Sequence, residues 1–215
     1  NSVLQLYADL REKPHLKQIA QKVLFMPDLI NYLLSGVAAT EYTIASTSGL
    51  LSSSQAGSFE DKVLDCFGIP KEWFGQVIKG GRILRQLSPR ITQELKIEPF
   101  DVIAGAGHDT AAAVLAIPYA SDQPTAFISC GTWSLVGLES DQPVLSSAAY
   151  AAGLTNEGCF DGRYRLLKNT TGLWILQELQ RDWRLQGEEL SFAQMAELAQ
   201  AVTDNQTWIN PNDAI

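Results

Sequence analysis

One segment near the middle of this 215-residue chain constrains the fold more than any other. It begins with a short apolar run at residues 100–104, continues through the glycine-rich residues 105–107, and ends in an alanine-rich stretch at residues 110–115. A short apolar run predicts a strand, paired glycines predict a turn, and alanine favours a helix. The pattern therefore predicts these three elements in succession, with His108 and Asp109 where the helix begins.

Further strands are predicted after this helix. Residues 125–129 and 133–138 have strand patterns, and Gly131-Thr132 joins them as a tight hairpin. Asp161-Gly162 predicts the turn of a second hairpin, and helical spacing predicts a long helix at residues 170–183. Strands and helices mixed in this order indicate an α/β or α+β fold.

The first hundred residues have a mostly helical pattern. Apolar side chains recur at helical spacing in residues 3–10, 16–25 and 28–34. Residues 40–58 are rich in serine, threonine and glycine, which predicts either a surface loop or a segment lining a ligand cleft. The proline-flanked residues 118–124 predict a linker. We therefore expect two domains, at residues 1–118 and 119–215.

The acidic composition argues against one broad class of partner. The net charge is −8 and the pI is about 4.7, whereas a nucleic-acid interface needs a basic face. No apolar run approaches the roughly 20 residues of a membrane span. Three widely spaced cysteines fit neither a disulfide framework nor a zinc site, so we expect a reducing, cytoplasmic location. Phosphate ligands remain possible because backbone N–H groups can hold them.

Asp109 is the strongest catalytic candidate. The dipole at a helix N-terminus favours a negative charge there, and phosphoryl transfer to an alcohol needs a positioned acceptor for the hydroxyl proton. Asp109 would also serve as a helix N-cap, and both interpretations can hold together. The neighbouring His108 either contacts a ligand hydroxyl or is a satisfied polar residue of the turn.

The Gly131-Thr132 turn is the second candidate site. A glycine turn between strands can direct several N–H groups to one point, and the hydroxyl of Thr132 adds a further donor. Such a turn would suit a terminal phosphate. The alternative is a plain β-hairpin with no ligand.

Asn169 and Gln177 are the remaining candidates. Asn169 precedes the predicted long helix, where it would line a cleft or cap the helix. Gln177 lies about two turns into that helix and would either reach the same cleft or remain a solvated polar residue.

The order and spacing of seven short motifs resemble the FGGY family of carbohydrate kinases. The motifs are Phe25-Met26-Pro27-Asp28, Glu41-Tyr42-Thr43, Gly107-His108-Asp109-Thr110-Ala111, Ser129-Cys130-Gly131-Thr132-Trp133-Ser134-Leu135, Thr155-Asn156-Glu157-Gly158, Leu167-Lys168-Asn169 with Gly172-Leu173-Trp174, and Ile209-Asn210-Pro211-Asn212-Asp213. The resemblance covers nearly the whole chain and is densest at residues 101–183. Within the family it is closest to the members that phosphorylate L-rhamnulose.

This resemblance implies a fold, a reaction and a set of roles. The fold would be the two-domain, ribonuclease-H-like architecture of the actin and hexokinase superfamily, with the end of the N-terminal domain at residues 1–118 and the start of the C-terminal domain at residues 119–215. The reaction would transfer phosphate from ATP, with Mg²⁺, to the primary hydroxyl of L-rhamnulose. Asp109 would match the catalytic base. The other matched positions are His108, Thr110 and Asn169 at the sugar and Gly131, Thr132 and Gln177 at the nucleotide.

The chain also departs from the family pattern. It lacks the Asp-x-Gly-Thr/Ser phosphate loop and the Gly-Gly-Gly adenosine loop, so we assign no metal-holding residue and expect the chain alone to be inactive. Two alternatives stay open. One is a family member acting on xylulose, fuculose or glycerol, and the other is a non-catalytic, actin-like nucleotide-binding module.

Overall fold

Helices and strands are mixed along the whole chain. The computed structural model describes residues 1–53, 55, 57–119, 125–204 and 207–211. The helices are α1 (Ser2–Glu12), α2 (Leu16–Ile19), α3 (Met26–Ser35), α4 (Tyr42–Ser46), α5 (Asp61–Phe67), α6 (Pro89–Leu95), α7 (Asp109–Leu115), α8 (Ser147–Ala151), α9 (Trp174–Leu185) and α10 (Phe192–Ala201). The strands are β1 (Thr40–Glu41), β2 (Val77–Ile78), β3 (Ile83–Gln86), β4 (Asp101–Ile103), β5 (Ala126–Cys130), β6 (Trp133–Ser140), β7 (Thr155–Gly158) and β8 (Tyr164–Thr171). This arrangement confirms the predicted α/β class.

The first half is built around a helical core. Leu10 of α1 and Leu64 of α5 pack with Leu50, Trp73 and neighbouring apolar side chains. Local sequence sets the ends of the helices: a proline lies in the first turn of α3, and a glycine with a left-handed backbone follows its last residue. Burial of these large side chains removes apolar surface from water and so holds the half together.

The first half also contains two short sheets. β1 pairs with β2 in parallel, and β3 pairs with β4 in antiparallel fashion. The chain leaves β4 through the predicted glycine turn and enters α7, which confirms the predicted strand, turn and helix.

The second half contains an antiparallel sheet with strand order β5-β6-β8-β7. Both predicted hairpins are present, the first at Gly131-Thr132 and the second around Asp161-Gly162. The buried side chains of Phe127 and Leu167 pack against Val114 of α7. This contact fixes the helix that begins with Asp109 against the sheet.

The β7–β8 hairpin also contacts the first half. The N–H group of Gly158 donates to Ser46 Oγ at 2.7 Å, and a Cβ atom on Gly158 would lie only 2.4 Å from the Tyr42 ring. The Phe160 ring covers Gly80, where a Cβ atom would lie 2.1 Å from it. Glycine is required at both contacts because any side chain would collide with an aromatic ring.

One prediction about the first half is wrong, and one of two alternatives is excluded for part of another segment. The helix predicted at residues 16–25 ends at Ile19, and the chain then extends so that the N–H group of Val23 donates to the Trp73 carbonyl. Residues 40–58 begin with β1 and α4, whose residues are largely buried, so a plain surface loop is excluded for that part. Residues 120–124 of the predicted linker lie outside the described residues. Across the described ranges, no helix is long and apolar enough to cross a bilayer.

Candidate active site

Asp109 is the first residue of α7 and is almost fully exposed. Its side chain is 95% accessible, and its Oδ1 atom accepts a hydrogen bond of 2.6 Å from the N–H group of Thr110. The hydroxyl of the buried Thr110 lies 3.4 Å from the same oxygen. The N-cap position belongs to His108, so the interpretation of Asp109 as an N-cap is wrong. An exposed carboxylate held through one oxygen is suited to accept a proton from a ligand.

The neighbouring His108 is held by the β7–β8 hairpin. Its Nδ1 atom lies 3.1 Å from Nη2 of Arg165, a nitrogen that also donates to Glu157 Oε2 at 3.0 Å. A guanidinium has only donors, so His108 Nδ1 must accept and the proton of the neutral ring must lie on Nε2. That nitrogen is 3.4 Å from Asp109 Oδ1. The Nε2–H group of His108 therefore points toward the Asp109 carboxylate.

Burial keeps this imidazole uncharged. Removal from water has the largest effect on the pKa of His108 and lowers it. The carboxyl group of Glu157 opposes this effect, and the nearby Arg165 in turn opposes Glu157, so that the pKa stays below its usual value. Arg165 is completely buried and Glu157 is nearly so. The three side chains therefore form one buried polar cluster behind an exposed catalytic candidate.

Glu41 joins the glycine turn to α4. Its Oε2 atom accepts hydrogen bonds from the N–H groups of Thr43, Ile44 and Gly107 at 3.0 to 3.2 Å, and from the Thr43 hydroxyl at 2.6 Å. The Thr43 hydroxyl in turn accepts from the N–H group of His108 at 3.1 Å. One buried carboxyl group therefore caps α4 and fixes the backbone on which His108 and Asp109 stand.

Asp28 supports Glu41 from α3. Both carboxyl oxygens of Asp28 lie 3.1 to 3.2 Å from the N–H group of Glu41, and the side chain is buried. Burial raises the pKa of Asp28 from 3.8 to about 6, although the hydrogen bond from Glu41 opposes that rise. The folded protein therefore binds this proton more tightly than the unfolded chain, so the stability that it contributes falls as the pH rises from about 4 to about 6.

We expect the substitution Asp28→Asn to remove this pH dependence. The amide stays neutral and keeps an oxygen that can accept from Glu41. The stability of the variant relative to the parent should therefore rise by about 2 kcal/mol between pH 4 and pH 7. Urea unfolding at both pH values measures the difference. The exposed Asp65→Asn is the control and should show no comparable change. A pH-independent difference for Asp28→Asn would contradict the assignment.

The Gly131-Thr132 turn lies against the start of α9. The carbonyl group of Gly131 accepts from Leu173, and that of Thr132 accepts from Gly172 and Trp174. The N–H group of Gly131 donates a hydrogen bond to the Trp133 carbonyl within the hairpin, so it is not available to a ligand. The turn therefore offers fewer free N–H groups than expected, while the Thr132 side chain is exposed.

Asn169 and Gln177 lie on either side of the start of α9 in the sequence. Asn169 is an exposed residue of β8 that pairs with Leu135, and α9 begins only at Trp174, so its interpretation as a helix cap is wrong. Strand pairing continues to Thr171, which removes residues 170–173 from the predicted helix. Gln177 is about one turn into α9, not two, and lines a groove between α9 and α10.

The predicted site residues thus form two separately bonded groups. His108, Asp109 and Thr110 bond to one another and to the β7–β8 hairpin, whereas Gly131 and Thr132 bond to the start of α9. Among the residues that the structure describes, no group of three or more His, Cys, Asp or Glu side chains is arranged to hold a metal ion.

The contact of the Glu157–Arg165 pair with His108 was not predicted from the sequence. Glu157 and Arg165 are directly paired across the β7–β8 hairpin. A signal was available, since opposite charges on either side of the predicted Asp161-Gly162 turn indicate a cross-strand pair. Nothing in the sequence alone indicates that this pair meets His108, which is 57 residues from Arg165.

The fold is shared with a solved sugar kinase. A xylulose kinase from Lactobacillus acidophilus superposes with a TM-score of 0.72 at 20% sequence identity, covering 93% of this chain and 39% of that one. A likeness at this level of identity speaks to the fold alone.

Sequence comparison identifies the family. Residues 6–116 match the N-terminal domain of the FGGY family of carbohydrate kinases, and residues 126–214 match its C-terminal domain. The chain belongs to this family. It is 38% identical to a rhamnulokinase from Bacteroides thetaiotaomicron over 99% of its own length and 38% identical to one from Yersinia pestis (strain Pestoides F) over 100%. It spans 43% and 42% of the lengths of these relatives.

Proposed function

We propose that the full-length protein carrying this chain transfers the terminal phosphate of ATP to the primary hydroxyl of L-rhamnulose. The class of reaction is supported by membership of the carbohydrate kinase family, and the sugar by the 38% identity to two rhamnulokinases. The single observation that carries the chemistry is the exposed Asp109 carboxylate, which stands on a rigid helix start beside a neutral His108.

Asp109 acts as the general base. The sugar hydroxyl oxygen forms a bond to the terminal phosphorus of ATP, the bond from that phosphorus to ADP breaks, and the hydroxyl proton passes to the Asp109 carboxylate. Alignment of the hydroxyl matters more than basicity, because positioning supplies most of the acceleration in phosphoryl transfer. The buried contacts that fix the backbone at residues 107–109 supply this alignment.

The other predicted residues bind the two substrates. His108, Thr110 and Asn169 lie at the sugar, and Gly131, Thr132 and Gln177 lie at the nucleotide. The exposed Thr132 hydroxyl is available to a terminal phosphate, and the turn that carries it is held by three hydrogen bonds from the start of α9. Mg²⁺ in such reactions neutralises charge on the phosphates. The proposed domains remain residues 1–118 and 119–215.

We also propose that the protein works in the cytoplasm. All three cysteines are free thiols, which fits a reducing compartment. Burial raises the pKa of Cys159 to about 12, so this thiol is unreactive.

The proposal is tested by ADP release from the full-length protein with ATP and Mg²⁺ across L-rhamnulose, L-fuculose, D-xylulose and glycerol. A strong preference for L-rhamnulose is expected. Preference for another of these compounds would keep the reaction and replace the substrate. No sugar-dependent ADP release would overturn the proposal and favour a non-catalytic, actin-like nucleotide-binding module.

A further inference from the structure

The polar cluster behind Asp109 is built from distant parts of the chain. Arg165 lies on β8 and Glu157 on β7, whereas His108 and Asp109 stand at the start of α7. Arg165 has no exposed surface, and its Nη2 atom alone donates to both Glu157 and His108. Burial of a guanidinium costs free energy unless the charge is paired, so a completely buried arginine calls for a structural or functional explanation.

We propose that Arg165, held by Glu157, is a positioning residue that fixes His108 as the neutral imidazole with its proton on Nε2, directed at the Asp109 carboxylate. This inference rests on the proposed function and adds a role for the β7–β8 hairpin. The geometry carries it, because a donor-only guanidinium 3.1 Å from Nδ1 prevents that nitrogen from holding a proton.

The charged groups around His108 show why its protonation matters. Arg165 faces it from β8, Glu157 from β7, Asp109 from α7 and Glu41 from β1. Without Arg165, Glu157 Oε2 at 3.6 Å would attract a proton to Nδ1 and the ring would become an imidazolium. A positive ring 3.4 Å from Asp109 would stabilise its ionised form and weaken it as a proton acceptor.

The first test determines directly which ring nitrogen of His108 carries the proton in the full-length protein. Nitrogen-15 NMR of histidine-labelled protein, with the His108 signals assigned by their loss in His108→Gln, should show an unprotonated Nδ1 and a protonated Nε2 at pH 7. An imidazolium, or a proton on Nδ1, would overturn the proposal without any further variant. This NMR measurement does not depend on turnover. It therefore still tests the proposal if the full-length protein shows no sugar kinase activity.

The second test removes the guanidinium. In Arg165→Met, His108 should titrate at a higher pH than in the parent, and kcat should fall about 10- to 100-fold with the sugar KM within about threefold. In Arg165→Lys, an ammonium still donates to Nδ1, so the ring should stay neutral at pH 7 and most of the kcat should return.

A matched control separates this role from general loss of structure. Arg163 lies just before β8 and forms ion pairs with Asp161 and Glu139. Arg163→Met should leave the His108 titration and kcat unchanged. A parent-like His108 titration in Arg165→Met, or equal kcat losses in Arg165→Lys and Arg165→Met, would overturn the proposal.

Discussion

Asp109→Asn should reduce the kcat of the full-length kinase by about a thousandfold, within the range that general base catalysis supplies. The amide keeps the size of the side chain and an oxygen that can accept from Thr110, but it cannot take up the sugar proton. Because Asp109 is almost fully exposed, the unfolding temperature should not change. Steady-state kinetics with ATP and L-rhamnulose measure the loss.

Two comparisons make this prediction specific. ATP affinity, measured by calorimetry in the absence of sugar, should be the same in Asp109→Asn and the parent, since the base is not part of the proposed phosphate site. Asp101→Asn, an exposed carboxylate of β4, is the matched control and should retain full turnover. Retention of more than a tenth of the parent kcat by Asp109→Asn would exclude Asp109 as the base.

Glu41→Ala should destabilise the fold by about 3 kcal/mol. The substitution leaves four donors without their acceptor, including the N–H groups of Thr43, Ile44 and Gly107. The cost arises because buried donors that lose a partner do not regain one from water. Urea unfolding of the full-length protein measures the change.

Glu41→Gln is the matched variant for this prediction. Its amide oxygen can still accept from most of the same donors, so it should lose much less stability than Glu41→Ala. We also expect Glu41→Ala to reduce kcat, because Gly107 and His108 depend on Glu41 and Thr43 for their backbone hydrogen bonds. Equal stability of the alanine variant and the parent would contradict this account of the turn.

The local part of the site was predictable from the sequence. The strand, glycine turn and helix around Asp109 depend on neighbouring residues, so composition and spacing identify them. The two hairpins were predictable for the same reason, since glycine marks each turn. The helix predicted at residues 170–183 began too early because pairing of β8 with β6 continues through Thr171 and overrides helical spacing.

The buried network was not predictable from local patterns. Glu41 and Gly107 are 66 residues apart, and Arg165 and His108 are 57 residues apart, so only the folded chain brings them together. Composition alone favours an exposed position for Arg165, because arginine is rarely buried without a partner. The predicted hairpin can suggest the pairing with Glu157, but the burial of Arg165 and its contact with His108 are visible only in the folded chain.

The central claim is that the full-length protein phosphorylates a sugar alcohol group and does not merely bind or hydrolyse ATP. The most direct measurement is phosphorus-31 and proton NMR of the products formed from ATP, Mg²⁺ and L-rhamnulose. The account predicts one phosphomonoester, on the primary hydroxyl of L-rhamnulose, in equal amount to the ADP released. ADP with inorganic phosphate and no phosphorylated sugar, or no ADP at all, would contradict it.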